Sequence, residues 1–268
     1  MQINLIAPIN QTSYGIAATS ILKELVKQHE IALFPIGPLD ITSQEIADAV
    51  QKTYYRNRTP SFFKYGHSLK IWHQFDLAES IGRGKKCAMV FYELDRLSEI
   101  EKTHCESLDL VLTSSTYHRD ILRANKCRSE FVPLGVDTSI FYPKSTKQKD
   151  TTVFVNCGKF EIRKGHDILL ELFESAFTPK DDVELILLFD KIFYIEQEMQ
   201  ECRSYYLDSV MGQAGKIKIL PRFKTQTELA GIFNTADCAI FPSRAEGWNL
   251  EALEAMACGL EVIITNYS

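Results

Sequence analysis

Basic residues cluster in one short stretch of the chain, residues 158–165, which reads GKFEIRKG. Lys159, Arg163 and Lys164 fall where an apolar run ends and a helical pattern begins. Cations at a helix N-terminus are unfavourable by ~0.3–1 kcal/mol each, because the helix dipole is positive there. A bound anion would reverse that sign, and backbone N–H groups would add donors. The stretch therefore indicates either a phosphate or diphosphate site or a solvated basic turn with Glu161 as its local partner.

Two glutamates eight positions apart form a second group that could do chemistry. Glu246 lies in a turn after an apolar run, and Glu254 falls on the following helical pattern, within EGWNLEALEAMACG. Both carboxylates could accept hydrogen bonds from sugar hydroxyls, while Gly247 lets the backbone approach a ligand closely and the amides of residues 248–250 are free at the helix start. The alternative is that Glu251 and Glu254 form a solvated helix face. We favour that alternative for Glu251, whereas the small residues around Glu254 indicate close packing.

The elements that must position these groups alternate between apolar runs and helical patterns, which predicts parallel sheets covered by helices. The apolar runs are continuous, as in strands that are buried on both faces. The predicted strands are 2–7, 30–34, 69–75, 87–92, 109–113, 129–132, 152–157, 183–189, 216–220, 237–241 and 260–265. The predicted helices are 15–28, 97–106, 115–124, 165–176, 195–210, 226–235 and 249–258.

A linker interrupts this alternation at residues 133–148, where two prolines, a glycine and a polar tail follow one another, as is typical of domain boundaries. We therefore predict two α/β domains, residues 1–148 and residues 149–268, each a Rossmann-like doubly wound parallel sheet, with a cleft between them. Ligands of such sheets bind at the carboxyl ends of the strands. Only three residues follow strand 260–265, although a helix normally covers such a strand. The second sheet is therefore expected to be incomplete, with an exposed flank, or the chain is a fragment.

Composition excludes several classes of protein. Hydrophobic residues make up 45% and charged residues 24% of the 268 positions, near the globular averages of about 45–50% and about 25%. The formal net charge of −5 argues against a nucleic-acid binder. Seven cysteines without a CxxC pair indicate free thiols in a reducing compartment. With no signal peptide and no apolar stretch of ~20 residues, we expect a cytoplasmic protein, and peripheral membrane contact stays open.

Taken together, these segments resemble a family 4 glycosyltransferase of the GT-B fold. Glu246 and Glu254 match the family's paired-glutamate motif, GKFEIRKG resembles its diphosphate-binding turn, and PLGVDTSIFYP resembles its linker. The loop SYG at 13–15 resembles its glycine-containing loop after the first strand. The resemblance covers nearly the whole chain. It implies retaining transfer of a sugar from a nucleotide diphosphate sugar, held by residues 149–268, to an acceptor hydroxyl on the side of residues 1–148.

The resemblance also implies roles for single residues. Glu246 would contact the donor sugar near the reacting centre and Glu254 would hold the ribose. Lys164 and Lys159 would hold the diphosphate, with Arg163 beside them. We take Glu246 and Lys164 as catalytic, because a cation aimed at the leaving phosphate stabilises the charge that develops there in the transition state. The remaining donor-binding candidates are Gly158, Gly247, Trp248, Asn249 and Leu250.

The chemistry that the resemblance implies needs no cofactor beyond the nucleotide sugar. The leaving phosphate would help to deprotonate the acceptor on the front face of the sugar, and no protein nucleophile is required. A metal ion is not needed to neutralise charge, and the sequence has no DxD motif to hold one. The donor is a UDP-, GDP- or ADP-linked sugar, a choice that the sequence leaves open.

The acceptor side departs from the family. Where a His-Asp or similar pair often follows the fourth strand, this chain has FYELD, so Glu93 and Asp95 join Gly15 as candidates for acceptor or sugar contact. His73 is either a polar contact in the cleft or a structural histidine. The stretch 52–70 mixes basic and aromatic residues, which would suit an anionic acceptor, a lipid-linked sugar or a membrane surface, or it is an ordinary surface loop.

One departure lies in the paired-glutamate motif itself. The family commonly has Gly-Leu-Pro where Asn249, Leu250 and Glu251 stand. Two alternative functions also stay open. One is a non-catalytic GT-B subunit that binds a nucleotide sugar and depends on a partner for the missing C-terminal elements. The other is a nucleotide-sugar epimerase, against which the paired glutamates argue.

Overall fold

A computed structural model describes residues 1–58, 64–144, 150–159, 161–190, 216–221, 223 and 225–267. The chain divides into two compact units. The first holds Met1–Leu134 together with Glu246–Trp248, and the second holds Gly135–Ala245 and Asn249–Tyr267. The predicted boundary at 148 and 149 stays a prediction. The predicted helix 195–210 lies outside the described residues, as do residues 59–63 of the basic and aromatic stretch.

The first unit contains one six-stranded parallel sheet in the order β2-β1-β3-β4-β5-β6. Its strands are β1 (Gln2–Ala7), β2 (Glu30–Pro35), β3 (His67–Ile71), β4 (Lys86–Val90), β5 (Leu110–Thr113) and β6 (Ser129–Phe131). Its helices are α1 (Ser13–Gln28), α2 (Gln44–Tyr54), α3 (Glu99–Glu106) and α4 (Thr116–Ala124). Leu5, Leu33 and Ile71 are fully buried in its core, as expected for strands covered on both faces.

The second unit contains a five-stranded parallel sheet in the order β11-β10-β7-β8-β9. Its strands are β7 (Thr152–Lys159), β8 (Val183–Asp190), β9 (Ile217–Leu220), β10 (Cys238–Phe241) and β11 (Glu261–Ile264). Its described helices are α5 (His166–Ala176), α6 (Gln226–Phe233) and α7 (Leu250–Ala257). The predicted fold class, two α/β domains with parallel sheets, is confirmed.

Most predicted boundaries fall within two residues of the observed ones, and the largest error is at the end of β3. The strand stops at Ile71 rather than at residue 75, because the backbone N–H of Asp76 turns back to the carbonyl of His73 at 3.0 Å. β4 ends at Val90, and the N–H of Phe91 donates instead to the hydroxyl of Tyr14 at 3.0 Å. These bonds satisfy the backbone outside the sheet, so the strand ladder ends there.

Helix α2 was not predicted from the sequence. It buries Ala49, Val50 and Thr53, which follow one another at helical spacing, and Ser43 caps it by accepting from the N–H of Ile46 at 3.3 Å. Part of the stretch 52–70 is therefore helical rather than loop. None of the helices in the described parts of the chain has the length and apolarity of a membrane span.

Candidate functional site

The basic turn predicted at 158–165 leaves the carboxyl end of β7. A short 3₁₀ turn, Ile162–Lys164, precedes Gly165 and the start of α5. Gly165 has φ of +72°, and a Cβ at this position would collide with the carbonyl oxygen of Pro242. Only glycine fits both the left-handed backbone and the close approach of this neighbouring chain segment. The turn is therefore held against the segment that follows β10, which leads to the paired glutamates.

Lys164 points inward from this turn. Its aliphatic chain covers Gly158, where a Cβ would lie 3.3 Å from the lysine Cε. The Lys164 side chain is only 6% exposed, and its Nζ lies 3.4 Å from Oε1 of Glu251 in the first turn of α7. A buried ammonium is costly unless it is paired. This ion pair therefore joins the two predicted motifs, although they lie 87 positions apart in the chain.

Glu254 is also buried, with 5% of its surface exposed. Burial, and to a lesser degree the charge of Glu251, raises the pKa of the Glu254 carboxyl to about 8. Nε2 of Gln226 on α6 donates to its Oε1 at 3.4 Å. A carboxyl with this pKa holds its proton through much of the neutral range, so it can donate as well as accept a hydrogen bond.

The solvated helix face that we favoured for Glu251 is only partly right, because its side chain is 26% exposed but is paired with Lys164. Glu251 precedes Glu254 by three positions, which puts both side chains on one face of α7, and that face packs inward. The carboxylate of Glu251 pairs there with the ammonium of Lys164. The sequence did contain a signal, since a glutamate surrounded by small residues at 254 implies that position 251 also faces the interior.

The two arginines near the turn are held by protein groups. Nη1 of Arg163 donates to the carbonyl of Ala245 at 2.8 Å, and its Nη2 lies 3.4 Å from Glu161. Arg244, which we did not single out from the sequence, grips the carboxylate of Asp167 through both Nη atoms, at 2.9 and 2.8 Å. These bonds fasten the basic turn to the segment after β10. Lys159 ends β7 and is half-buried.

The segment before α7 is grouped with the first unit over Glu246–Trp248. Within that unit, the hydroxyl of Ser114 donates to the carbonyl of Gly247 at 2.6 Å, and a Cβ on Gly247 would lie 2.9 Å from the backbone of Phe91. Glu246 is half-buried. The buried Nε1 of Trp248 has no hydrogen-bond partner among the described residues.

Asn249 explains one departure from the family motif. It has φ of +62° and caps α7, its side chain accepting from the N–H of Ala252 at 3.3 Å. A left-handed residue is normally glycine, and asparagine is among the few other residues that adopt this conformation readily. Asparagine thus keeps the backbone that glycine would allow and adds a cap. Leu250 then begins the helix.

Comparisons with known proteins show what this chain is similar to. Residues 137–268 match the family described as glycosyl transferases group 1. This match covers 132 of the 268 residues, just under half of the chain. A D-inositol 3-phosphate glycosyltransferase of Arthrobacter sp. (strain FB24) is 27% identical to this chain over 62% of its length. The chain spans 38% of that relative.

Solved structures of glycosyltransferases share the fold of the whole chain. A sucrose-phosphate synthase from Thermosynechococcus elongatus superposes with a TM-score of 0.71 at 16% identity, covering 99% of this chain and 81% of that one. A trehalose-6-phosphate protein from E. coli, bound with UDP-2-fluoro glucose, gives 0.73 at 11% identity, covering 100% and 85%. The GT-B fold that the resemblance implied is therefore confirmed.

The GT-B acceptor candidates occupy the first unit. Gly15 lies in the first turn of α1, where its N–H donates to the Thr12 cap at 3.3 Å and a Cβ would collide with Asn10. His73 stacks on Phe75 with ring centroids 5.1 Å apart and also contacts Tyr14. Glu93 is half-buried and Asp95 exposed. The aromatic contacts of His73 give it a packing role, and the acceptor roles of all four stay predictions.

Proposed function

We propose that this GT-B chain transfers a sugar from a nucleotide diphosphate sugar to an acceptor hydroxyl, with retention of the anomeric configuration. The observation that carries the proposal is the burial of Lys164 and Glu254 in one unit, on the two segments that resemble the family's donor-binding motifs. The relatives named as glycosyltransferases support the reaction class. One structural neighbour is bound with UDP-2-fluoro glucose, which supports a nucleotide sugar as the donor.

Lys164 would hold the diphosphate and stabilise the leaving group. As the glycosidic bond breaks, negative charge develops on the phosphate oxygen, and a preorganised ammonium in a water-poor site stabilises that charge more than it stabilises the ground state. Lys159 would contact the same diphosphate from the end of β7. Arg163 would act indirectly, because its guanidinium is bonded to Ala245 and Glu161.

The glutamates would grip the sugar and the nucleoside. Glu246 would contact the donor sugar next to the reacting carbon, beside the backbone of Gly247, Trp248 and Leu250. Glu254, protonated through much of the neutral range, would exchange hydrogen bonds with a ribose hydroxyl. The acceptor loses its proton to the leaving phosphate on the same face, so that no nucleophile of the protein is required. No cofactor beyond the donor enters this scheme.

Donor and acceptor are proposed only by class. The donor is a UDP-, GDP- or ADP-linked sugar, and the acceptor is a glycan or a lipid-linked hydroxyl, with Gly15, Glu93 and Asp95 on its side. The reducing state implied by unpaired cysteines suits a cytoplasmic enzyme. Six cysteines in the described part of the chain are free thiols.

A donor screen tests the proposal. UDP-, GDP- and ADP-sugars are titrated into the full chain by calorimetry, and the products are then analysed with and without glycan acceptors. The proposal expects one nucleotide class to bind selectively, and its sugar to appear on an acceptor with the original anomeric configuration. Binding without transfer would support a nucleotide-sugar-binding subunit, conversion of the free donor would support an epimerase, and no binding would refute the donor site.

A further inference from the structure

The ion pair between Lys164 and Glu251 places an acid where the donor's diphosphate is proposed to bind. Nζ of Lys164 is 3.4 Å from Oε1 of Glu251, and their side chains are 6% and 26% exposed. The pair is therefore shielded from solvent on the lysine side and open on the glutamate side. The family motif commonly has proline at position 251, so this acid is a feature of the present chain.

The acid cancels the charge on which diphosphate binding depends. An ammonium offers three N–H donors but a single positive charge. Glu251 already balances that charge, and an incoming diphosphate would bring further negative charge to the same atom. Like charges that share a partly buried site repel strongly because water screens them little. The diphosphate and Glu251 therefore compete for Lys164.

The two neighbouring arginines do not relieve this competition. The guanidinium of Arg163 lies beside Glu161 and the Ala245 carbonyl, and Arg244 holds Asp167 through two bonds. Glu254 stands one helical turn beyond Glu251 on the same face of α7, and its burial already disfavours a further charge. A negative ligand at Lys164 is therefore easier to accommodate if Glu251 moves toward solvent, where its exposed fraction leaves room.

We propose that Glu251 is a displaceable counter-ion of Lys164, which pairs the lysine in the free chain and leaves it when a nucleoside diphosphate binds. This inference rests on the proposed role of Lys164 in holding the diphosphate. It follows that the chain binds nucleoside diphosphates more weakly than the same chain with a neutral residue at position 251.

Three variants at position 251 separate charge from packing. Glu251→Gln keeps the shape and an acceptor oxygen for Lys164, Glu251→Ala removes the side chain, and Glu251→Asp keeps the charge. The matched control is Glu184→Gln, because Glu184 also pairs with a lysine of the second unit, Lys218, at 2.6 Å. Each full-length variant is titrated with UDP, GDP, ADP and inorganic pyrophosphate, after circular dichroism and a thermal melt have established that it folds.

We expect Glu251→Gln and Glu251→Ala to bind the preferred nucleoside diphosphate about tenfold more tightly, that is, with a Kd about one tenth of the parent's. Glu251→Asp and Glu184→Gln should stay within about threefold of the parent, since neither changes the charge at position 251. If the Gln variant does not fold, the comparison of Ala with Asp still tests the charge.

Equal or weaker binding by the Gln and Ala variants would overturn the inference, because Glu251 would then hold Lys164 in position rather than compete for it. That result would leave the proposed function intact as long as the parent chain binds a nucleotide. If neither the parent nor any variant binds any of the four probes, the diphosphate site at Lys164 is refuted, and the inference falls with it.

Discussion

Each of the two units buries a lysine, and the two lysines are paired in different ways. Lys70 on β3 is 3% exposed, and its Nζ lies 3.3 Å from Asp76 and 3.8 Å from Glu79, whose side chains are 52% and 80% exposed. Both acids come from the loop that follows the same strand. Lys164 is paired instead with Glu251 of a distant helix, whose side chain is 26% exposed, less than either acid of Lys70.

The difference distinguishes an ion pair within one loop, at Lys70, from an ion pair between two distant segments, at Lys164. Acids that lie mostly in water contribute little to stability, because solvent screens them and their side chains lose entropy on pairing. The loop of Lys70 therefore only neutralises a buried charge. Lys164 and Glu251 come from two separate segments, the turn after β7 and the start of α7. The close approach of Gly165 to Pro242 and the bonds of Arg163 and Arg244 hold the turn against the segment that leads to α7. Such construction is expected where a charge must be kept in place for a ligand.

The largest expected effect compares two glycines with the same backbone. Gly165 and Gly37 have φ of +72° and +75°, but a Cβ at Gly37 would meet nothing within 4 Å, whereas one at Gly165 would collide with Pro242. We expect Gly37→Ala to lower the free energy of unfolding by about 1 kcal/mol from backbone strain alone. Gly165→Ala should lower it by ~3 kcal/mol or more, because the clash adds to the strain. Urea denaturation of both variants measures the difference, and equal losses would show that the turn is not tightly held.

The second prediction concerns pH. The pKa of Glu254 is about 8 in the folded chain and 4.5 as its ordinary value, so the folded state binds the extra proton between these values. The stability contributed by protonated Glu254 is therefore complete below pH about 4.5 and is lost as the pH rises through about 8. Glu254→Gln has no such loss. The Tm of this variant minus the Tm of the parent should therefore increase as the pH rises from 5 to 8.5.

Glu184→Gln serves as the control for this titration, since that acid lies in an ordinary ion pair with Lys218. Its Tm should follow the parent across the same pH range. A constant difference in Tm between Glu254→Gln and the parent would mean that the carboxyl titrates alike in the folded and unfolded chains, and the buried, protonated Glu254 would have to be abandoned.

The smallest effect is expected at Lys70. Lys70→Met removes a buried charge and leaves two acids that already face water, and exchanging a buried charge for an apolar side chain of similar length is often close to neutral. The free energy of unfolding should change by less than about 1 kcal/mol. A loss of several kcal/mol on thermal unfolding would show that the Lys70 loop, too, depends on its ion pair.

The sequence predicted the strands well because their apolar runs are long and buried on both faces. β8 and β10 lie within one residue of their predicted bounds. The end of β3 was missed because a backbone bond that hydrophobicity does not encode turns the chain from His73 to Asp76. Helix α2 was missed although its signal was present, since Ile46, Ala49 and Val50 stand at helical spacing after the Ser43 cap.

The sequence selected the residues of the candidate site by type, and that selection stays a prediction, whereas their pairing comes from the structure alone. Lys164 and Glu254 were selected from the sequence. The structure adds that Lys164 is buried in an ion pair and that burial raises the pKa of the Glu254 carboxyl. The contact between Lys164 and Glu251 depends on how β7 and β10 align in the sheet, which brings two loops together at one edge. Arg244 and Asp167 are paired by the same alignment, and neither carries a motif that would have marked it.

The most direct test of the account is to replace each of the two buried lysines separately with methionine and to measure nucleotide binding. Lys164→Met and Lys70→Met, both full-length and folded by circular dichroism, are titrated with the nucleoside diphosphate that the donor screen selects. We expect Kd to rise by about 100-fold or more for Lys164→Met, as is common when a buried charged contact is lost, and to stay unchanged for Lys70→Met. Unchanged affinity in Lys164→Met, or an equal loss in both variants, would contradict the proposal that Lys164 holds the diphosphate.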